Sequence, residues 1–109
     1  MQPIYDVIAE TRRQEKPFLV WYAPFMPHSP HTPPARLLDK YHAKTPSLHL
    51  ARYWAMCEWF DETCGELFGY LDREGLAENT IIVYVTDNGW VQSLDSPKFA
   101  PKNKTTPFD

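Results

Sequence analysis

The feature that most constrains the fold is one long helical pattern between two strand-like apolar runs. From about Ser47 to Arg73, apolar residues recur every three or four positions and charged residues fall mainly elsewhere, which is typical of an amphipathic helix. Gly75 follows where a helix C-cap is expected. We predict that this is the longest helix of the chain. Its apolar positions are Leu50, Tyr53, Met56, Cys57, Phe60, Cys64, Leu67, Phe68 and Leu71.

The segments on either side of this helix have the composition of β-strands. The run PFLVWYAP, bounded by Pro17 and Pro24, is bulky and lacks polar alternation, and the run IIVYVT follows the helix after LAENT. Such runs are typical of strands that are covered on both faces. A shorter helical pattern, PIYDVIAETRRQEK, precedes the first run. The order helix, strand, long helix, strand predicts an α/β fold with a mainly parallel sheet flanked by helices.

Composition excludes several classes of function. The chain has 109 residues, 43% of them hydrophobic, and a formal net charge of -3, which indicates one small globular domain at most. Eleven Lys and Arg against fourteen Asp and Glu give no basic stripe for nucleic acid or an anionic membrane. The apolar runs are too short to span a bilayer. No signal peptide is visible at the start, and the localisation of the protein stays open.

The two cysteines do not have the spacing of a disulfide. Cys57 and Cys64 fall on the same predicted helix, two turns or roughly 10 Å apart along its axis. This separation exceeds the reach of a disulfide bond. We expect two free thiols that pack as small hydrophobic side chains.

Two loops at the predicted carboxyl ends of the strands carry candidate functional residues. Ligands of parallel sheets bind beyond these ends. Asp87 and Asn88 offer oxygen donors suited to Ca²⁺ or Mg²⁺, although DNG is also a strong turn former and an ordinary turn is the alternative. The proline-rich loop from Pro24 to Pro34 contains His28 and His31. Imidazole donates protons or binds oxyanions near neutral pH, and the alternative is two surface histidines in a connector.

The order of these segments resembles the sulfatases of the alkaline phosphatase superfamily. Three blocks carry the likeness from about Lys16 to Asp109: KPFLVWYAPFMPHSPHTPPARLLDKY, YWAMCEWFDETCGELFGYLDREGLAENTIIVYVTDNG and KNKTTPFD. The family combines an apolar strand and proline-histidine loop with a long helix, a G-L-x-x-N-T phrase and a strand that ends in DNG. The resemblance implies an alkaline phosphatase-like fold and hydrolysis of a sulfate ester, either a small molecule or a sulfated glycan.

The resemblance also implies a role for each candidate residue. Asp87 and Asn88 match the family pair that binds a divalent cation, usually Ca²⁺, with Mg²⁺ as the alternative. His28 matches the active-site histidine in an alignment without gaps, and His31 is the neighbouring candidate. Lys104, in KTTPFD, matches the substrate-binding lysine. The cation and the lysine would stabilise negative charge on the sulfate group, and the histidine would protonate the departing oxygen.

Some parts of the family pattern are missing from this sequence. The family nucleophile is a formylglycine made from a C-x-P-x-R or S-x-P-x-R segment and supported by an early aspartate pair, and neither feature occurs here. We therefore expect residues 1–109 to be an internal fragment of a catalytic domain that is inactive alone. Uncovered apolar strands would also favour self-association. The alternatives are a non-catalytic remnant or binding module with weak cation or anion binding, and a segment of a related phosphatase or phosphonate hydrolase.

Overall fold

The architecture was obtained from a computed structural model, which describes residues 1–86. Three α-helices follow one another along this part of the chain: α1 (Gln2–Arg13), α2 (Ala35–His42) and α3 (Leu48–Arg73). A short 3-10 helix, Ala77–Asn79, comes after α3. None of the described helices is both long enough and apolar enough to cross a membrane.

The long predicted helix is confirmed, and local interactions define both of its ends. At the start of α3 the Ser47 hydroxyl accepts a hydrogen bond from the backbone N–H of Leu50, as an N-cap does. At the end, the N–H of Leu76 bonds to the carbonyl of Leu71 at 2.8 Å and the N–H of Gly75 bonds to that of Asp72 at 3.0 Å. This pair of bonds is a Schellman motif, and the φ of +66° at Gly75 is the left-handed conformation that it requires.

The predicted α/β fold with a parallel sheet is wrong for the described part of the chain, which contains no β-strand between residues 1 and 86. Residues 17–24 and 81–86 have strand-like composition but form no ladder. A strand forms only when its backbone N–H and C=O groups bond to a neighbouring strand, which is usually distant in sequence. The composition of a run does not show whether such a neighbour is present. The two runs are instead attached to α3 by side chains.

The contacts of the two runs show how they lie on α3. The Tyr22 hydroxyl donates a hydrogen bond to Thr63 Oγ1 at 2.7 Å, and the Tyr84 ring lies 6.3 Å from the ring of Phe60. Exposure alternates along the first run, because Leu19 is 91% exposed whereas its neighbour Val20 is half-buried. One side of this run therefore packs towards the helix while the other side faces solvent.

Helices α2 and α3 form the best-packed part of the structure and run antiparallel. Arg36 forms an ion pair with Glu62 and Lys40 forms one with Glu58, both at 2.5 Å. The residue earlier in α2 pairs with the residue later in α3, as expected of two helices that run antiparallel. Leu37 of α2 is 2% exposed. The other buried apolar residues of the described chain are Ile8, Leu50, Ala51, Ala55, Met56 and Leu71.

Helix α1 is held against the far end of α3. The rings of Tyr5 and Tyr70 stack with centroids 4.2 Å apart, and the Tyr70 hydroxyl donates to the backbone carbonyl of Tyr5 at 3.3 Å. Arg12 forms an ion pair with Glu74 at 2.6 Å. The predicted helix at the start of the chain is therefore confirmed, and α3 is the element on which α1 and α2 both pack.

Candidate functional site

The proline-rich loop places His28 at the surface between the first apolar run and α2. The backbone N–H of His28 bonds to the Phe25 carbonyl at 3.0 Å, and the two rings lie 4.8 Å apart. His28 Nδ1 lies 2.6 Å from the carbonyl oxygen of Ser29. Because a carbonyl oxygen only accepts hydrogen bonds, Nδ1 carries the proton in this arrangement. Nε2 is then the ring nitrogen that can exchange a proton with a ligand.

His31 lies deeper than His28 and contacts α3. Its side chain is half-buried, and its ring centroid is 5.7 Å from that of Tyr53. Burial is the main cause of a lowered pKa for His31, and the nearby charges of His28, His49 and Arg52 lower it further. A hydrogen bond to the backbone of Pro27 acts in the opposite direction. The loop therefore brings both histidines into one basic neighbourhood at the start of α3.

Two members of this neighbourhood were not predicted from the sequence. His49 and Arg52 belong to the first turns of α3, far along the chain from the histidine loop. The available signal was the spacing of His49, Arg52 and Tyr53, because residues three and four positions apart share one face of a helix. Nothing in that spacing showed that the face would meet His31.

The cysteines lack the features of an activated nucleophile. Burial raises the pKa of Cys57, and it also raises the pKa of the neighbouring Tyr53 to about 12. Burial and the charge of Asp61 raise the pKa of Cys64. Both thiols are free, which agrees with the sequence-based prediction. A protonated thiol is a poor nucleophile and a poor metal ligand, so neither cysteine is a candidate for chemistry.

The remaining predicted site residues lie outside the described residues. Asp87 and Asn88, the predicted cation pair, and Lys104, the predicted substrate-binding lysine, all follow residue 86. Within residues 1–86, no group of His, Cys, Asp and Glu side chains is arranged to hold a metal ion. The cation pair and Lys104 therefore stay predictions from the sequence.

An open groove of about 730 Å³ lies between the two apolar runs and α3. Its walls include Val20 and Tyr22 from the first run, Phe60 and Leu67 from α3, and Ile82 from the second run. His28 and His31 do not line it. Most of the surface that lines the groove is apolar, and it is separate from the basic neighbourhood. A charged ester group needs polar side chains. The candidate site is therefore the surface formed by the histidine loop and the first turns of α3.

Comparisons with known proteins agree with the motifs of the sequence. The Sulfatase family model matches residues 1–105. Arylsulfatase J of the mouse, Mus musculus, is 32% identical over 88 residues, which cover 81% of this chain but only 14% of the mouse protein. No solved structure matches the chain significantly. Because the family model extends over nearly the whole sequence, the chain belongs to the sulfatase family.

Proposed function

We propose that residues 1–109 form part of a sulfatase catalytic domain and contribute side chains to the hydrolysis of a sulfate ester. The match of the Sulfatase family model to residues 1–105 is the observation that carries this proposal. The name of the mouse relative supports the same class of reaction. His28, Lys104, Asp87 and Asn88 are the residues assigned to the reaction.

His28 is the proton donor of the proposed reaction. The hydrogen bond between Nδ1 and the Ser29 carbonyl orients the ring, and Nε2 is the nitrogen that would contact the substrate. As sulfur bonds to a nucleophile from outside these 109 residues, its bond to the ester oxygen breaks and the electron pair stays on that oxygen. A His28 ring protonated on both nitrogens would keep its Nδ1 proton on the Ser29 carbonyl and transfer its Nε2 proton to the oxygen, which leaves as an alcohol or phenol. The exposed position of His28 gives a substrate direct access to the ring. His31 is the alternative proton donor, but its greater burial makes it less accessible.

Lys104, Asp87 and Asn88 are assigned to the charge of the sulfate group. A carboxylate and a side-chain amide are oxygen donors of the kind that Ca²⁺ prefers and Mg²⁺ accepts, so these two residues fit a divalent cation. Such a cation, when bound, would neutralise negative charge on the sulfate oxygens. The Lys104 ammonium would act on the same oxygens. Two protein ligands are fewer than either cation needs, so further ligands must come from outside this pair.

The nucleophile of the family does not fit the residues of this chain. The 109 residues contain neither C-x-P-x-R nor S-x-P-x-R, so they hold no precursor of a formylglycine. The raised pKa values of Cys57 and Cys64 give no substitute. We therefore expect binding without turnover from the 109-residue chain. This departure also favours the second candidate function, a non-catalytic remnant or binding module.

Exposed apolar side chains support self-association of the chain. Leu19, Trp21, Ile81 and Val85 are each more than 80% exposed. Sedimentation velocity at several concentrations should show oligomers that increase with concentration. A monomer at every concentration would contradict this part of the proposal.

Calcium binding tests the cation pair. In calorimetric titrations of the 109-residue chain with CaCl₂, Asp87→Ala should abolish binding because it removes the only charged ligand of the pair. Asp61→Ala is the matched control, since Asp61 is an exposed carboxylate on α3. Equal calcium binding by the wild type and Asp87→Ala would place the cation elsewhere.

Binding of a sulfate ester tests His28 independently of the cation. NMR titration with 4-nitrophenyl sulfate should shift the signals of the histidine loop, and His28→Ala should weaken this binding. His42→Ala is the matched control, because His42 is exposed at the end of α2. Unchanged binding by His28→Ala would remove His28 from the site.

The coding sequence immediately before Met1 discriminates between the two candidate functions. A C-x-P-x-R segment and an aspartate pair in the same reading frame would support the catalytic domain. Their absence would favour the binding module, which predicts calcium or sulfate-ester binding and no release of 4-nitrophenol from 4-nitrophenyl sulfate.

A further inference from the structure

Two local interactions hold the His28 ring, and Phe25 supplies one of them. The centroids of the Phe25 and His28 rings lie 4.8 Å apart, with an angle of 49° between the ring planes. A turn closed by the 3.0 Å bond from the His28 N–H to the Phe25 carbonyl brings these two residues together. The other interaction joins Nδ1 to the carbonyl oxygen of Ser29 at 2.6 Å. The His28 ring is therefore restrained by one residue before it in the chain and by one after it.

Packing in the apolar groove does not account for the position of Phe25. The residue is 64% exposed, although phenylalanine is large and apolar. Val20 and Tyr22, from the same part of the chain, line the groove, whereas Phe25 is not among the described residues that line it. The Phe25 ring instead contacts the imidazole that is assigned to the reaction.

The ring contact matters because the hydrogen bond between His28 and Ser29 is exposed. Such a bond competes with bonds to water and contributes little net stabilisation. A solvated histidine also samples other rotamers, in which the Ser29 carbonyl no longer selects the tautomer with the proton on Nδ1. A contact between aromatic rings favours one orientation by about two- to tenfold. The Phe25 ring therefore increases the population in which Nδ1 is bonded to Ser29 and Nε2 is free.

We propose that Phe25 is a positioning residue for His28, and that it acts through the imidazole rather than through the substrate. This proposal rests on the proposed function, in which His28 gives its Nε2 proton to the departing oxygen. The transfer needs Nε2 within hydrogen-bonding distance of that oxygen, so a ring that leaves the Ser29 carbonyl also displaces the proton donor. Phe25 limits this displacement, and Nδ1 keeps its own proton on the Ser29 carbonyl while Nε2 loses one.

The tautomer of His28 tests the role of Phe25 without any ligand. Long-range proton–nitrogen NMR spectra of the isotope-labelled 109-residue chain, at about pH 8.5 where an ordinary imidazole is neutral, show which ring nitrogen carries the proton. The wild type should carry it on Nδ1. Phe25→Leu keeps the backbone turn and should lower the ratio of the Nδ1–H to the Nε2–H tautomer by about two- to tenfold. Phe25→Tyr keeps an aromatic ring and should keep the wild-type ratio.

Phe68→Leu is the matched control, because Phe68 is a 42% exposed phenylalanine on α3. It makes the same substitution away from the histidine loop and should leave the tautomer of His28 unchanged. Circular dichroism on each variant shows whether the helices are retained. An unchanged tautomer ratio in Phe25→Leu would overturn the proposal, and so would a ratio in Phe25→Tyr as low as that in Phe25→Leu.

Binding of 4-nitrophenyl sulfate separates this proposal from the role of His28. In NMR titrations, Phe25→Leu should weaken binding in the wild-type background and have no further effect in the His28→Ala background, because a positioning residue acts through the residue that it positions. A further loss in that background would show that Phe25 contacts the ester and would overturn the positioning role. If His28→Ala leaves binding unchanged, the role of His28 is refuted, whereas the tautomer ratio still decides whether Phe25 holds the ring.

Discussion

Replacing Leu19 by alanine tests how the first apolar run is packed. Leu19 is 91% exposed, so only about a tenth of the side chain is removed from water. Complete burial of a leucine side chain contributes about 1.5–3 kcal/mol. Leu19→Ala should therefore lower the free energy of unfolding by no more than about 0.3 kcal/mol. A leucine in a strand covered on both faces would lose several times as much.

Leu37→Ala supplies the comparison, because it removes the same atoms from a buried position. Leu37 is the buried residue of α2 and is 2% exposed, and buried leucine-to-alanine changes cost about 2–5 kcal/mol. With a urea m-value of about 1.5 kcal/mol/M, the midpoints of the two variants should differ by at least about 1 M. If the free energy of unfolding of the wild type is smaller than this cost, Leu37→Ala should have a weaker helical signal even without urea.

The assay is urea unfolding of the 109-residue chain, followed by the helical circular dichroism signal. Low protein concentration is needed so that association through exposed apolar side chains does not add to the measured stability. A loss from Leu19→Ala as large as that from Leu37→Ala would refute the observed exposure of Leu19. That result would restore the sequence-based interpretation of the run as a strand buried on both faces.

Three further predictions concern a helix end, the helix pair and the histidines. Gly75→Ala should cost about 1 kcal/mol in urea unfolding, because φ at Gly75 is +66°. The hydrogen bond from Arg36 lowers the pKa of Glu62, so the wild-type ion pair stabilises the fold above pH 4.5 and loses this contribution as the pH falls further. Glu62→Gln should remove the contribution, and thermal melts at several pH values measure it. Arg52→Gln should raise the pKa of His31, because the Arg52 charge helps to lower it; an NMR titration of the histidine ring measures this.

Each of these predictions has a control or a contradicting outcome. Gly65→Ala introduces the same methyl group inside α3, where nothing lies within 4 Å, and should increase stability by up to about 1 kcal/mol. A Glu62→Gln variant with the same acid sensitivity as the wild type would show that the ion pair with Arg36 contributes nothing. An unchanged pKa of His31 in Arg52→Gln would show that the Arg52 charge does not act on His31.

Helices were predictable because their signals are local. The three- and four-residue spacing from about Ser47 to Arg73, followed by Gly75, predicted α3 to within one residue of its observed bounds. Helix α2 was missed although Leu37 and Tyr41 have helical spacing. It is only eight residues long and begins directly after Pro34, and so short a helix depends on packing against α3 more than on its own propensity.

The site was only partly predictable for the same reason. The rigid loop singled out His28 and His31 from the sequence, and the structure shows where both lie. Sequence spacing did not connect them with His49 and Arg52, because the contact between His31 and Tyr53 joins the loop to a helix that begins 17 positions after His31.

The sequence alone therefore determined the sulfatase family, through the order of its motifs, and the positions of α1 and α3, through hydrogen bonds that close over four residues. It also identified Asp87, Asn88 and Lys104 as candidate residues, which stay predictions. The tertiary structure decided which side of each apolar run is exposed and which basic side chains meet beside His28. These features depend on contacts between distant parts of the chain, and no local pattern of residues specifies such contacts.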